Sequence, residues 1–87
     1  MDIKKVAKAG TLESNDIYIM IMPREEKDIE LDLESIVMKQ FGEEIRKVIL
    51  ETLKELKVES AIVKAQDKGA LDYTIKARVE TAVKRAQ

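Results

Sequence analysis

The 87-residue chain contains no cysteine, no histidine and no tryptophan. Without cysteine there is no disulfide and no protein thiol. Zinc loses its usual ligands when both cysteine and histidine are missing, so no metal site is expected. The missing histidine also removes the base of a Ser-His-Asp triad, so no serine of this chain is the nucleophile of such a triad within it. No ordinary side chain titrates near neutrality. Aromatics are confined to Tyr18, Phe41 and Tyr73, too few for a base-stacking platform. Sixteen basic residues against 17 acidic ones leave a net charge of −1. No strong field recruits nucleic acid. Only three glycines occur, and none has the spacing of a phosphate-cradling loop. No apolar run approaches the ~20 residues that span a bilayer. Residues 1–6 lack the apolar core of a signal peptide. The expectation is a cytoplasmic protein with neither a membrane nor a nucleic-acid partner.

What is present suits one small globular unit. The chain is 45% apolar and 38% charged, and residues 1–87 are read as a single domain. A chain of this length buries roughly 60% of its unfolded surface, enough for one modest core.

The organising stretch is Ala9-Gly10-Thr11-Leu12-Glu13-Ser14-Asn15-Asp16. It joins a weakly alternating segment, residues 3–9, to a dense apolar run, residues 17–22. Gly10 tolerates positive φ, and Ser14, Asn15 and Asp16 can bond nearby backbone, so the stretch reads as a loop. Ser14 is expected on an exposed bend between two strands. Turn chemistry alone makes it only a turn residue; any chemical role is that of a residue receiving a modification.

Residues 3–9 form an edge strand. Lys4, Lys5 and Lys8 either guard that edge against strand addition or flank Ser14 with positive charge. Residues 17–22 read as a strand buried on both faces, or as one whose Tyr18, Met20 and Met22 face is left for a partner. Residues 28–33 alternate strictly, with Ile29, Leu31 and Leu33 inward, and are expected to pair with the preceding strand as a hairpin. Asp28, Glu30 and Asp32 stand about 6.6 Å apart along one face, the spacing of a solvated face. Ser35 is a helix N-cap candidate. A helical stripe follows through Val37, Phe41, Ile45, Val48, Ile49, Thr52, Leu53 and Leu56; whether Gly42 divides it is left open. Residues 61–63 make a short strand, and Asp67-Lys68-Gly69 a turn. A second helix carries Leu71, Ile75, Val79, Ala82, Val83 and Ala86 on one face. Arg78 reads as a surface arginine with its stem on apolar surface. The fold class expected is α+β, a two-layer sandwich. A small mixed sheet of about four strands is covered by two main helices, in the order β-β-β-α-β-α.

Motifs spread along the chain support a family resemblance. They are the loop around Ser14, Ile29-Glu30-Leu31-Asp32-Leu33-Glu34-Ser35-Ile36-Val37, Gln40-Phe41-Gly42, Asp67-Lys68-Gly69-Ala70-Leu71-Asp72 and Ala77-Arg78-Val79. Together they resemble the acyl carrier protein of citrate lyase, its gamma chain. The resemblance implies a non-catalytic carrier subunit. It also implies a covalent 2'-(5''-phosphoribosyl)-3'-dephospho-CoA group, joined to Ser14 by a phosphodiester, whose thiol bears acetyl or citryl units. The implied partners are an alpha acyl transferase subunit, a beta citryl lyase subunit, a prosthetic-group transferase and the acetate ligase that acetylates the arm. Citrate would be cleaved to oxaloacetate and acetate. A chain without cysteine must take its sulfur from such a group, and the composition is compatible with that. The related carrier of malonate decarboxylase, which shares the attachment loop and the group, is the alternative. A plain interaction domain with an unmodified Ser14 is a further one. Glu34-Ser35-Ile36 has a superficial likeness to the attachment motif of four-helix carriers, but capping explains Ser35 and those carriers lack the preceding strands.

Overall fold

The computed structural model describes Met1–Gln87. Its elements run β1 (Ala7–Ala9), β2 (Ile17–Met22), β3 (Ile29–Ser35), α1 (Met38–Glu55), β4 (Ala61–Asp67) and α2 (Asp72–Arg85). The α+β class and the element order are those expected from sequence.

The strands form one sheet in the order β1-β2-β4-β3. β1 and β2 are antiparallel, as are β2 and β4, while β3 and β4 are parallel. The expected β2–β3 hairpin is therefore absent: β4 lies between the two strands. Parallel strands need a crossover, and α1 supplies it between β3 and β4. β3 becomes an edge strand, and its Ile29, Leu31 and Leu33 are only half-buried. The short strand expected at residues 61–63 runs instead for seven residues and takes a central place.

Both helices cover the same face of the sheet. That face carries Ile17, Ile19 and Ile21 of β2 and Ala61, Val63 and Ala65 of β4, all buried. Ile45, Ile49 and Leu53 of α1 and Ile75, Val79 and Val83 of α2 pack into the same core. Ala61 and Ala65 put only small side chains on the helix-covered face of β4. The other sheet face has no helix, so Tyr18, Met20 and Met22 are half-exposed rather than buried on both sides.

α1 runs unbroken through Gly42. Phe41 does not join its buried stripe: it is 57% exposed and lines a cavity with Ala70 and Leu71, which follow the last residue of β4. Leu71 is likewise 59% exposed at the start of α2. α1 ends in a reciprocal pair of bonds, Val58 N to Leu53 O at 3.0 Å and Lys57 N to Lys54 O at 3.0 Å. Lys57 takes the left-handed conformation at φ 58°, a position that most often falls to glycine. The Met1 ammonium donates to Leu56 O and Lys57 O at the same negative helix end. No helix is long and apolar enough to cross a membrane.

Candidate attachment site

Residues 10–16 leave β1 and enter β2 at the end of the sheet where Asp67 closes β4, since Ile17 pairs with Asp67. Gly10 begins the loop at φ +85°. A Cβ there would stand 1.8 Å from the Ile17 carbonyl oxygen, so the close approach of the two loop ends requires glycine. A turn closes at the tip, where the Asp16 amide donates to Glu13 O at 3.2 Å. Asn15 takes the left-handed conformation within that turn, φ 66°, which asparagine tolerates better than most residues.

Asp16 is the anchor of the loop. Its side chain accepts from the Thr11 hydroxyl at 2.7 Å and from the Ile17 amide at 2.7 Å. Arg78 of α2 donates Nε to Oδ1 and Nη2 to Oδ2, each at 2.9 Å. The residue is only 8% exposed, and its pKa falls from 3.8 to about 2. The Arg78 hydrogen bond is the largest cause, and the Thr11 and Ile17 bonds and the guanidinium charge reinforce it against the opposing effect of burial. The same pairing raises the Arg78 pKa. Backbone bonds complete the brace: Asn15 N donates to Lys68 O at 2.8 Å, and Lys68 N to Asp16 O at 2.9 Å.

Ser14 sits on this braced frame with an exposed side chain, and its hydroxyl takes part in no hydrogen bond within the chain. The other two serines are committed. Ser35 Oγ donates to Asp67 Oδ2 at 2.7 Å and accepts from the Val37 amide at 3.0 Å. Ser60 Oγ donates to the carbonyls of Arg24 and Glu26. Ser35 is thus structural, though not as the strict N-cap expected. The helix starts at Met38 with Val37 in the cap position, and Ser35 closes a serine turn two residues before it.

Asp67, 1% exposed, also accepts from the amides of Gly69 and Ala70 at 3.0 and 2.9 Å. It ties the β3–α1 turn to the β4–α2 turn next to the Ser14 loop. Every buried side-chain polar atom has a partner, so both buried carboxylates, Asp16 and Asp67, are satisfied structural hubs.

The basic flank that Lys4, Lys5 and Lys8 implied beside Ser14 is not formed by all three. The amides of Lys4 and Lys5 bond to Ala86 O, beyond the end of β1 remote from Ser14. Lys8 pairs with Met20 and is exposed on the helix-free side of the sheet. Lys68, held to Asn15 through its carbonyl, is the cation whose backbone joins the loop.

The Asp16–Arg78 pair was missed as a site feature. Apart from the Ala77-Arg78-Val79 motif, its sequence signal was an arginine beside the α2 core stripe, three positions after buried Ile75. Periodicity cannot match that to an aspartate 62 residues away.

The largest cavity, about 410 Å³ among Met1, Arg24, Lys57 and Ser60, is at the opposite end of the fold and holds no reactive constellation. The Ser14 end instead exposes Leu12, Ile36, Phe41, Leu71 and Tyr73.

Known proteins resemble the chain in sequence and in fold. The family model described as ACP, malonate decarboxylase delta subunit (MdcD), matches residues 4–86. The citrate lyase acyl carrier protein of Streptococcus mutans serotype c is 60% identical over 86 residues, covering 99% of this chain and 84% of that protein. The same-named protein of Streptococcus pyogenes serotype M4 is 56% identical over the same share of each chain. Among solved structures, a chain of a Pseudomonas malonate decarboxylase hetero-tetramer crystallised with malonate superposes with a TM-score of 0.84. It is 15% identical, over 98% of this chain and 87% of the other, a likeness of fold. On sequence identity along nearly its whole length, the chain belongs to the citrate lyase acyl carrier protein family.

Proposed function

We propose that the chain is the acyl carrier subunit of citrate lyase and that Ser14 bears its prosthetic group, 2'-(5''-phosphoribosyl)-3'-dephospho-CoA. The observation that carries the site is the contrast among the serines. Ser14 alone presents an exposed hydroxyl free of bonds, while Ser35 and Ser60 are engaged. The residues present fit such a group. The bend projects into solvent, so a modifying enzyme can reach Oγ, and the Asp16–Arg78 brace holds the attachment point still. Both buried carboxylates are engaged, Asp16 by four hydrogen bonds and Asp67 by three.

Once attached, the group supplies the thiol that this chain lacks. The protein's part is to be a rigid base: tethering raises the local concentration of cargo at each client site. The clients would be an alpha acyl transferase and a beta citryl lyase subunit, with a prosthetic-group transferase and an acetate ligase acting on the chain itself. The relatives' names favour citrate over malonate as the substrate system; the malonate decarboxylase reading keeps support from the family description and the fold neighbour.

Reconstitution tests the assignment. The chain, modified in a host that makes the group, is mixed with alpha and beta subunits and acetylated. Citrate cleavage is expected with wild type and with Ser60→Ala, and is expected to vanish with Ser14→Ala. Cleavage undiminished in Ser14→Ala overturns the site. Malonate decarboxylation supported in place of citrate cleavage, with the matching subunits, overturns the cargo.

A further inference from the structure

Beside the Ser14 loop, a cavity of about 330 Å³ opens between the start of α1 and the β4–α2 turn. Phe41 and Ile45 of α1, with Ala70 and Leu71 of the turn, make it mostly apolar, and Glu44 and Asp72 add two carboxylates. Gly69 belongs to the same lining. A Cβ on Gly69 would lie 3.8 Å from the Asn15 carboxamide oxygen and 3.8 Å from Ile36 Cδ1. The residue next to Ser14 therefore abuts the cavity rim. The volume is at the lower end of small-molecule sites, which combine apolar walls with a few polar groups.

We propose that this cavity holds the adenine base of the group carried on Ser14, leaving the diphosphate and the thiol-bearing segment free. The inference rests on the Ser14 assignment made above. The chemistry of the walls selects the occupant. Two carboxylates repel phosphates and acidic acyl cargo, and they accept hydrogen bonds from an exocyclic amino group. The exposed Phe41 ring offers a face to a flat heterocycle, as aromatic side chains do for nucleobases. Along the arm, the phosphodiester and the linking ribose come first and adenine next, ahead of the diphosphate and the pantetheine chain, so adenine is the first flat apolar group that can reach the cavity. The short tether raises its effective concentration at the cavity, so modest intrinsic affinity suffices. The anchored base shortens the swinging part of the arm and fixes the direction in which the thiol leaves the protein.

Side-chain and amide NMR spectra read the site directly. Intact mass first establishes whether each sample is modified on Ser14. Between apo and modified protein, the resonances of Phe41, Ile45, Ala70 and Leu71 are expected to shift. Free adenosine added to apo protein is expected to move the same signals, and pantetheine is not. Ala70→Leu, which fills the cavity, and Phe41→Ala are each expected to weaken adenosine binding about tenfold or more; agreement between the two guards against one variant misfolding. A Ser14-modified sample with unmoved cavity signals overturns the proposal. So does a response to pantetheine with none to adenosine, or protection of Phe41 and Leu71 by partner subunits alone with no effect of nucleotide. An unmodified Ser14 in a competent host instead overturns the reading beneath it; adenosine added to that same protein still decides whether the cavity takes a purine.

Discussion

Arg78 and Asp16, 62 residues apart in sequence, meet in a two-pronged ion pair with both N–O distances at 2.9 Å. The pair fastens the loop that presents Ser14 to the second helix. The Arg78 side chain is 39% exposed and that of Asp16 12%, so water screens the arginine side of the pair. A planar fork suits this geometry in a way that a lysine ammonium does not.

Arg78→Ala is therefore expected to lower stability by about 1–3 kcal/mol, because it leaves a nearly buried carboxylate short of two donors. For a chain of this size that corresponds to a fall in melting temperature of roughly 5–20 °C. Arg78→Lys is expected to recover part of the loss. Hydrogen exchange at the Asn15 and Lys68 amides should quicken in both variants. Thermal melts of the two variants that overlay the wild-type curve would contradict a structural clamp.

The pH dependence has a definite sign. The Asp16 pKa is lower in the folded state, about 2, than its ordinary 3.8. Its contribution is thus fully present above pH 4 and is lost as pH falls towards 2. After allowance for solvent at the arginine, that contribution is about 1–2 kcal/mol. Urea titrations between pH 5 and pH 2 should show stability falling more steeply in wild type than in Asp16→Asn. Equal slopes would remove Asp16 from the acid response.

Gly10 makes a separate prediction. An alanine there meets both the left-handed backbone and the Ile17 carbonyl at 1.8 Å. The expected cost is about 2 kcal/mol or more, with displacement of the loop. Modification of Ser14 should fall along with stability. A Gly10→Ala protein as stable and as readily modified as wild type would show that the loop does not need its observed path.

Ser35→Ala separates the serine before α1 from Ser14 of the β1–β2 loop. Removing Oγ takes a donor from buried Asp67 and an acceptor from the Val37 amide. A loss of about 1–3 kcal/mol is expected by denaturant melts, with the Ser14 adduct retained. A loss of the adduct at full stability would make Ser35 the attachment point.

Local patterns carried most of the architecture. Alternation at Ile29, Leu31 and Leu33 marks β3, and steps of three and four through Ile45, Ile49 and Leu53 mark α1. Strand neighbours are not local, and there the hairpin reading failed. β2 and β3 are adjacent in sequence, yet β4 separates them. β4 looked short because Lys64 and Gln66 interrupt its apolar run, though both are exposed on the helix-free side of the sheet. Phe41 and Leu71 keep helical phase but line an open cavity rather than the core, a distinction periodicity does not encode. The Ser14 bend was legible from Gly10, Asn15 and Asp16. The partner that holds it, Arg78, required the folded chain.

Whether Ser14 is the attachment point is decided on a single peptide. Fragmentation mass spectrometry of the peptide spanning residues 9–17, from protein made in a host with active modifying enzymes, tests it most directly. A phosphoribosyl-dephospho-CoA mass is expected on Ser14 in wild type and in Ser35→Ala, and none in Ser14→Ala. An unmodified Ser14 from that host, or the same mass on another residue, would contradict it.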